Sequence, residues 1–397
     1  MKFDVVIVGA SSAGLQAARK LAAGGKKVAV LERQKVFKPA RRTLIVTPEL
    51  QTVLTDLPPE AILYRTGTMK ICSPGLSAQV QLQNPDLIVE RASLNTWLLG
   101  QAESAGAQVF LGHRFVRLEA DKSGAVVHLH NHRPTTVIAT EAIIGADGMN
   151  SRVARSAGMP CPPSVPLVQA EVTLPSGWDP DVTQVWFDVD ATRFFYWLIP
   201  ESSGRAVAGL IGEEGALTRE LLADFLDQQN LRAENYQGAR VAMHHPRFKP
   251  WGAIDQIPIL LVGDAAGHVK VTTVGGTVTG LQGASAAAAS ILNGTSYRFE
   301  ARAIKRELDV HWLLRVLLER LDNGGYDCLV GTLSSRLKLF LARHNRDLMA
   351  RGFWRLPWVQ PKLIKIGLRC LRGRPDLHLR KLRPSKPTLS KIPNPES

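Results

Sequence analysis

The segment from Phe3 to Glu32 limits the fold more than any other stretch of the chain. Phe3-Asp4-Val5-Val6-Ile7-Val8 is short, apolar and rich in β-branched residues, the pattern of a buried strand. Gly9-Ala10-Ser11-Ser12-Ala13-Gly14 follows, then an alanine-rich helical stretch from Leu15 to Gly24, and a second strand over Lys27–Glu32. This is a βαβ unit with a dinucleotide-binding turn. Gly9 permits the tight turn, and Gly14 lets helix and strand pack closely. Ser11, Ser12 and Ala13 open the helix, whose free N–H groups and positive dipole end suit a pyrophosphate. The middle glycine of GxGxxG is replaced by Ser11, which is small enough to leave the approach open. Glu32, 23 residues after Gly9, is spaced to accept a hydrogen bond from a ribose hydroxyl, and Arg33 adjoins it.

Two later motifs also sit on strand ends. Ala142-Ile143-Ile144 runs into Gly145-Ala146-Asp147-Gly148, and Ile259–Val262 runs into Gly263-Asp264. Gly275-Gly276 and an alanine-rich helix over Thr277–Leu292 follow. In this order the motifs resemble those of FAD-dependent oxidoreductases of the p-hydroxybenzoate hydroxylase fold. The resemblance implies FAD as cofactor, with Asp147-Gly148 near the pyrophosphate and Asp264 accepting from ribityl hydroxyls. A helix starting after Gly275-Gly276 can aim its positive end at the flavin pyrimidine edge.

Ala265-Ala266-Gly267-His268-Val269-Lys270-Val271-Thr272-Thr273-Val274-Gly275-Gly276 is similar to the GDAAGxVKPTTGGG region of geranylgeranyl reductases, with Val271 at the proline and Val274 at the first of three glycines. Glu90–Leu98 resembles that family's R-x-x-F-D-x-x-L helix, with Arg91 at the arginine near the flavin phosphate. Gly67–Gly75 resembles its strand and turn before the substrate sheet. Phe195-Tyr196-Trp197-Leu198-Ile199-Pro200 resembles its YxWxFP substrate motif, and also the WxWxIP motif of flavin halogenases. Where geranylgeranyl reductases carry a Cys-Gly-rich loop, this chain has Arg41-Arg42-Thr43-Leu44. Arg41 or Arg42 is expected on a FAD phosphate or a substrate anion.

The expected fold is α/β, α+β overall: a Rossmann-like FAD-binding domain, an antiparallel sheet that roofs the flavin, and a C-terminal helical region. Residues 1–65, 86–160 and 251–296 are assigned to the FAD domain, 66–85 and 161–250 to the sheet domain, and 297–397 to the helical region. In that last region Tyr297–Arg320 and Thr332–Arg351 have helical apolar spacing. Pro384, Pro387, Pro393 and Pro395 mark a disordered end.

Charge is unevenly placed. Residues 1–335 hold 33 Lys and Arg against 32 Asp and Glu, whereas residues 336–397 hold 16 against 3. A near-neutral body with a basic end points to an anionic partner. Between Trp354 and Leu371, aromatic and aliphatic residues alternate with Lys and Arg. That composition suits an interfacial helix on an anionic membrane surface, and no nucleic-acid partner is expected because no recognition fold accompanies the charge. Four scattered cysteines argue against a disulfide framework or a zinc site. With no signal-peptide pattern and no apolar run of about 18 residues, a cytoplasmic protein, peripheral at the membrane, is expected.

Phe195 and Trp197, two apart in a strand, share one face and form an apolar wall. His268 and Lys270 are candidate proton donors or head-group ligands. The leading reading is a FAD-dependent reductase that delivers hydride to a C=C bond of a large apolar, isoprenoid-type substrate. NAD(P)H or a small electron carrier would be the reductant. An oxygen-activating monooxygenase or halogenase, acting on an aromatic or polyketide substrate through a hydroperoxyflavin, is the alternative, although Lys70 is poorly placed to be a halogenase lysine. A flavoprotein that binds lipid or a partner without turnover is the third. The sequence leaves the oligomeric state open.

Overall fold

The computed structural model describes residues 1–38, 42–121, 124–130, 136–213, 215–372 and 384. A sheet in the order Trp251–Ile254, Ile257–Leu261, Thr136–Gly145, Lys2–Val8, Val28–Glu32 and Gln108–Leu111 forms the nucleotide layer. All neighbours in it are parallel except Trp251–Ile254 against Ile257–Leu261. Val8 pairs with both Leu31 and Gly145, and Gly145 pairs with Leu261. The register therefore brings Gly9, Glu32, Asp147 and Gly263 to the same carboxyl edge, where ligands bind in open α/β sheets.

Alternate side chains enter two cores, which is why these strands read as continuous apolar runs. Val5, Ile7, Val28, Val30 and Ile144 pack against the helices Ser12–Ala23, Arg91–Ser104 and Thr277–Asn293. Phe3, Val6, Val8, Ala29, Leu31 and Ile143 face Phe115, Leu118 and Val127 of an antiparallel ribbon, Arg114–Asp121 with Gly124–His130.

A second eight-stranded sheet runs Arg232–Ala242, Ser164–Thr173, Arg205–Ile211, Tyr196–Pro200, Val182–Trp186, Ile62–Cys72, Ser77–Glu90 and Thr43–Val46. It takes more of the chain than the sequence boundaries assign. Ile45 pairs with Ile88 and Arg65 with Leu87, so the ladder continues through 43–46, 62–65 and 86–90 without a break at residue 65 or 86. Its outer face (Ala170, Val172, Leu198, Leu210) is covered by Leu222, Phe225 and Leu226 of the helix Gly215–Gln228. Its inner face carries Leu167, Phe195, Trp197, Ile199 and Ile211. Gly209 pairs with Trp197, and a Cβ there would collide with the indole.

The helical region is more broken than its periodicity predicts. Tyr297–Arg320 divides into Tyr297–Glu300 and Arg302–Leu318, and the second expected helix divides into Ser335–Arg343 and a single turn at Met349–Gly352. After Arg343 the Asn345 side chain accepts the Asp347 N–H at 2.8 Å, a local turn that competes with helix. That turn sends Arg346 and Asp347 inward. The region is fixed to the second sheet by the fully buried Arg315, whose guanidinium lies 4.3 Å from the Phe194 ring centroid and donates to the Arg193 carbonyl. The proline-marked end, Pro384 apart, lies outside the described residues, as does Arg41.

Candidate active site

A cleft of about 920 Å³ runs between the carboxyl edge of the nucleotide sheet, the inner face of the second sheet and the 344–348 turn. At its nucleotide end Gly9 has φ +104°, and a Cβ on it would lie 2.5 Å from the Ala146 oxygen. A Cβ on Gly14 would collide with the Gly9 carbonyl. Both positions need glycine. Ser11 does not mimic the missing glycine by pointing at a ligand. It caps the helix, accepting from Gly14 N at 3.2 Å and donating to Ala146 O at 3.1 Å. Ser12 is hydrogen-bonded to Asn95, and Ala13 lines the cleft.

Glu32 accepts from Ala10 N at 3.1 Å and Gln34 N at 3.0 Å, so its carboxylate is oriented at the cleft. Asp147 accepts from Arg152 N at 2.6 Å and Val153 N at 3.1 Å. Its other oxygen is buried without a protein partner, and burial pushes its carboxyl up. Gly148 and Arg33 also line this end.

Farther along, Arg42, Arg91 and Asp264 converge. Enclosure by protein pushes the Asp264 carboxyl up, while Arg91 and Arg42 act against that shift. Burial lowers Arg42, with repulsion from Arg91 adding to it. Gly263, in a left-handed conformation at φ +60°, abuts Ala13. The helix Thr277–Asn293 begins at Gly276 with no side-chain cap, leaving its first N–H groups facing the cleft beside Gly275. Val274 precedes them at φ +50°, a conformation that strains a β-branched residue.

The remaining half of the cleft is apolar. Met69, Ile71, Val185, Phe195, Trp197 and Ile199 present one wall, with the Phe195 and Trp197 rings edge to face at 6.1 Å. Lys70, between Met69 and Ile71, is absent from this lining, which leaves the halogenase reading without its lysine.

Lys270 does line the cleft, but its ammonium is paired with Asp347. Asp347 also accepts from Thr47 Oγ1 at 2.6 Å. Burial alone raises the Asp347 carboxyl, yet the Lys270 charge and the two hydrogen bonds hold it below the usual range. A second pair, Arg346 to Asp86 at 2.6 Å, lies alongside. His268, by contrast, sits behind the cleft. Its ring lies against Gly283, its Nδ1 is buried without a partner, and burial pushes its pKa down to about 3. It is neutral and out of reach of a ligand, which corrects its candidacy as a proton donor. Asp347, Arg346, Thr47 and Asp86 carried no sequence signal.

FAD fits these residues. Two glycines clear a cradle beside a helix N-terminus, a buried Asp147 oxygen awaits a donor, and a second uncapped helix end faces the flavin position. Residues 2–296 match the FAD binding domain family. The chain is 28% identical over 305 residues to a digeranylgeranylglycerophospholipid reductase of Methanopyrus kandleri, covering 71% of this chain and 74% of that one. It is 29% identical over 389 residues to one of Methanothermobacter thermautotrophicus, covering 87% and 97%. In fold it is similar to a geranylgeranyl bacteriochlorophyll reductase-like protein of Thermoplasma acidophilum, with a TM-score of 0.78 at 19% identity over 92% of this chain and 99% of that one. The chain belongs to the FAD binding domain family and is a FAD-dependent oxidoreductase similar to the geranylgeranyl reductases.

Proposed function

We propose that the protein reduces C=C bonds of a long isoprenoid chain carried by a membrane lipid or its precursor. The observation that carries this reading is the apolar wall from Met69 to Trp197, set opposite the flavin end of one continuous cleft. Such a wall excludes water and holds an alkene in place, which is most of what the protein contributes to a reaction whose hard chemistry belongs to the cofactor. Bound flavin supplies the hydride. Gly9, Ser12, Gly14, Glu32, Arg33, Asp147 and Gly148 hold the nucleotide; Arg42, Arg91, Asp264, Gly275 and Gly276 hold the flavin end; Phe195 and Trp197 shape the substrate pocket. Lys270 is a structural cation at the pocket wall, held there by Asp347.

No helix among the described residues is long and apolar enough to cross a membrane. Trp354 and Trp358 are 61% and 83% exposed, and Ile364 and Leu368 are exposed on the helix Lys362–Arg372. Together with the flanking Arg and Lys residues they form an interfacial anchor, so a peripheral seat on an anionic membrane delivers the apolar substrate.

Dithionite-reduced holoenzyme incubated anaerobically with geranylgeranyl diphosphate tests the reading. A product mass gain of two hydrogens per reduced bond is expected; unchanged substrate, or turnover that demands oxygen, overturns it. Co-sedimentation with phosphatidylglycerol vesicles tests the anchor: Trp358→Ala combined with Trp354→Ala weakens binding, and equal binding by that variant refutes it.

A further inference from the structure

Reducing an alkene needs a proton as well as a hydride, and neither polar candidate in the Gly-Asp loop supplies it. His268 is behind the cleft, and Lys270 is tied to Asp347. Two residues beyond Lys270, Thr272 lines the cleft, on a loop whose Val271 and Val274 pack into the same apolar cluster as Phe195 and Trp197. Its hydroxyl is hydrogen-bonded at 2.5 Å to Nδ1 of His311, a buried residue on the helix Arg302–Leu318. The other ring nitrogen of His311 faces two acceptors: the Arg346 carbonyl at 3.1 Å and Glu307 Oε1 at 3.2 Å. Glu307 is itself fixed by Met349 N at 2.6 Å and Ala350 N at 2.9 Å.

This arrangement settles the roles of the two ring nitrogens. Two acceptors at Nε2 keep its proton in place, so Nδ1 is the atom that gains or loses one. In the neutral ring Nδ1 accepts from the Thr272 hydroxyl. In the imidazolium Nδ1–H donates to Thr272 Oγ1, and the hydroxyl hydrogen is free to turn into the cleft.

We propose that Thr272 is the catalytic proton donor of the reductase, recharged by His311, with Glu307 and the Arg346 carbonyl holding the ring. This rests on the reductase reading above. Bound FAD would supply the hydride that forms a C–H bond at one alkene carbon as the π bond breaks. The Thr272 hydroxyl hydrogen forms the C–H bond at the other, and the His311 Nδ1 proton passes to Thr272 Oγ1. The cofactor gives up a hydride, the alkene gains two electrons and two protons overall (one proton within the hydride and one from Thr272), and neutral His311 is reprotonated from solvent between turnovers. His311 acts through Thr272 and is a positioning residue in that sense.

The charged and titratable groups around His311 come from four elements. Glu307 is on its own helix; Arg346 and Asp347 are on the following turn; Lys270 is on the Thr272 loop; His244 follows the strand Arg232–Ala242. His244 is bound to Asp309 at 2.9 Å, and burial pushes its pKa down, so it adds no charge of its own near neutrality.

The test is single-turnover reoxidation of dithionite-reduced holoenzyme by geranylgeranyl diphosphate, without oxygen, across a pH series. Thr272→Val and His311→Gln are compared with wild type and with Thr272→Ser; an unaltered flavin absorbance spectrum shows that each variant is loaded and folded. A positioned general acid contributes about a hundredfold or more. Thr272→Val is therefore expected to slow reoxidation by about that factor, and Thr272→Ser to restore it. The wild-type rate is expected to fall with rising pH, and His311→Gln to slow the reaction and flatten that dependence. If Thr272→Val and His311→Gln keep the wild-type rate and pH profile, the relay is wrong and the reductase reading stands. If the wild-type enzyme is not reoxidised at all, the reductase reading falls and takes the relay with it.

Discussion

Replacing Asp347 by alanine leaves the Lys270 ammonium buried without a counter-charge. The side chains of the pair are 6% and 1% exposed, and the ammonium lies beside the uncapped helix start, 3.6 Å from where a Cβ on Gly275 would be. A cation at a helix N-terminus is unfavourable, so Asp347 offsets both desolvation and dipole. Breaking a buried pair from one side costs about 3–5 kcal/mol. The orphaned Thr47 hydroxyl adds about 1 kcal/mol, placing Asp347→Ala near the top of that range. Lys270→Met with Asp347→Leu removes both charges, and its stability returns to within about 2 kcal/mol of wild type. Guanidinium unfolding of the apoprotein, followed by tryptophan fluorescence, measures wild type and both variants. The acid limb supplies a second reading. The folded Asp347 carboxyl titrates below its unfolded value, so its contribution is full above the ordinary carboxylate range and is lost as pH falls through the lower folded value. Asp347→Ala flattens that part of the profile. A loss of less than about 1 kcal/mol in Asp347→Ala, or a double variant no more stable than Asp347→Ala, would refute the argument.

Other consequences are as concrete. Gly14→Ala places a Cβ against the Gly9 carbonyl, and the purified variant should lack the flavin absorbance band. Ser11→Ala removes a helix cap and should lower stability by about 1 kcal/mol while FAD affinity, read by fluorescence titration, stays at the wild-type value, because the hydroxyl faces protein. His268 binds a proton at about pH 3 when folded and at about 6.5 when unfolded. The unfolded state thus holds more protons between those values, and stability falls with decreasing pH by up to about 1.4 kcal/mol per unit there. His268→Gln should remove that slope from denaturation midpoints measured at pH 7 and 4.5.

The cofactor site was largely legible because its determinants are local. A strand, a turn glycine and a helix start lie within a dozen residues, and parallel register then carries separate motifs to one edge. The substrate sheet was legible as strands but not in extent, since the pairing of Ile45 with Ile88 has no local signature. From sequence Ser11 is a tolerated replacement, whereas in the structure it is a cap; the difference lies in which way a hydroxyl turns, and only the Ala146 carbonyl decides that. His268 looked chemical because a motif frames it, yet tight packing on Gly283 makes it a core residue. Least legible were the partners of Lys270 and Thr272. Thr47 and Asp347 stand 300 residues apart in sequence, and His311 lies on a helix whose periodicity announces only a buried stripe.

Those distant partners change what counts as the smallest working piece of this chain. The family match ends at residue 296, and every recognisable flavin motif precedes it. A protein trimmed to that boundary would keep the nucleotide cradle, but it would lose the carboxylate that neutralises Lys270 and the imidazole that touches Thr272. Trp354 and Trp358 follow Asp347 within eleven residues. The stretch that borders the cleft is thus nearly continuous with the exposed tryptophans, so the proposed membrane anchor and the carboxylate that neutralises Lys270 share one short length of backbone.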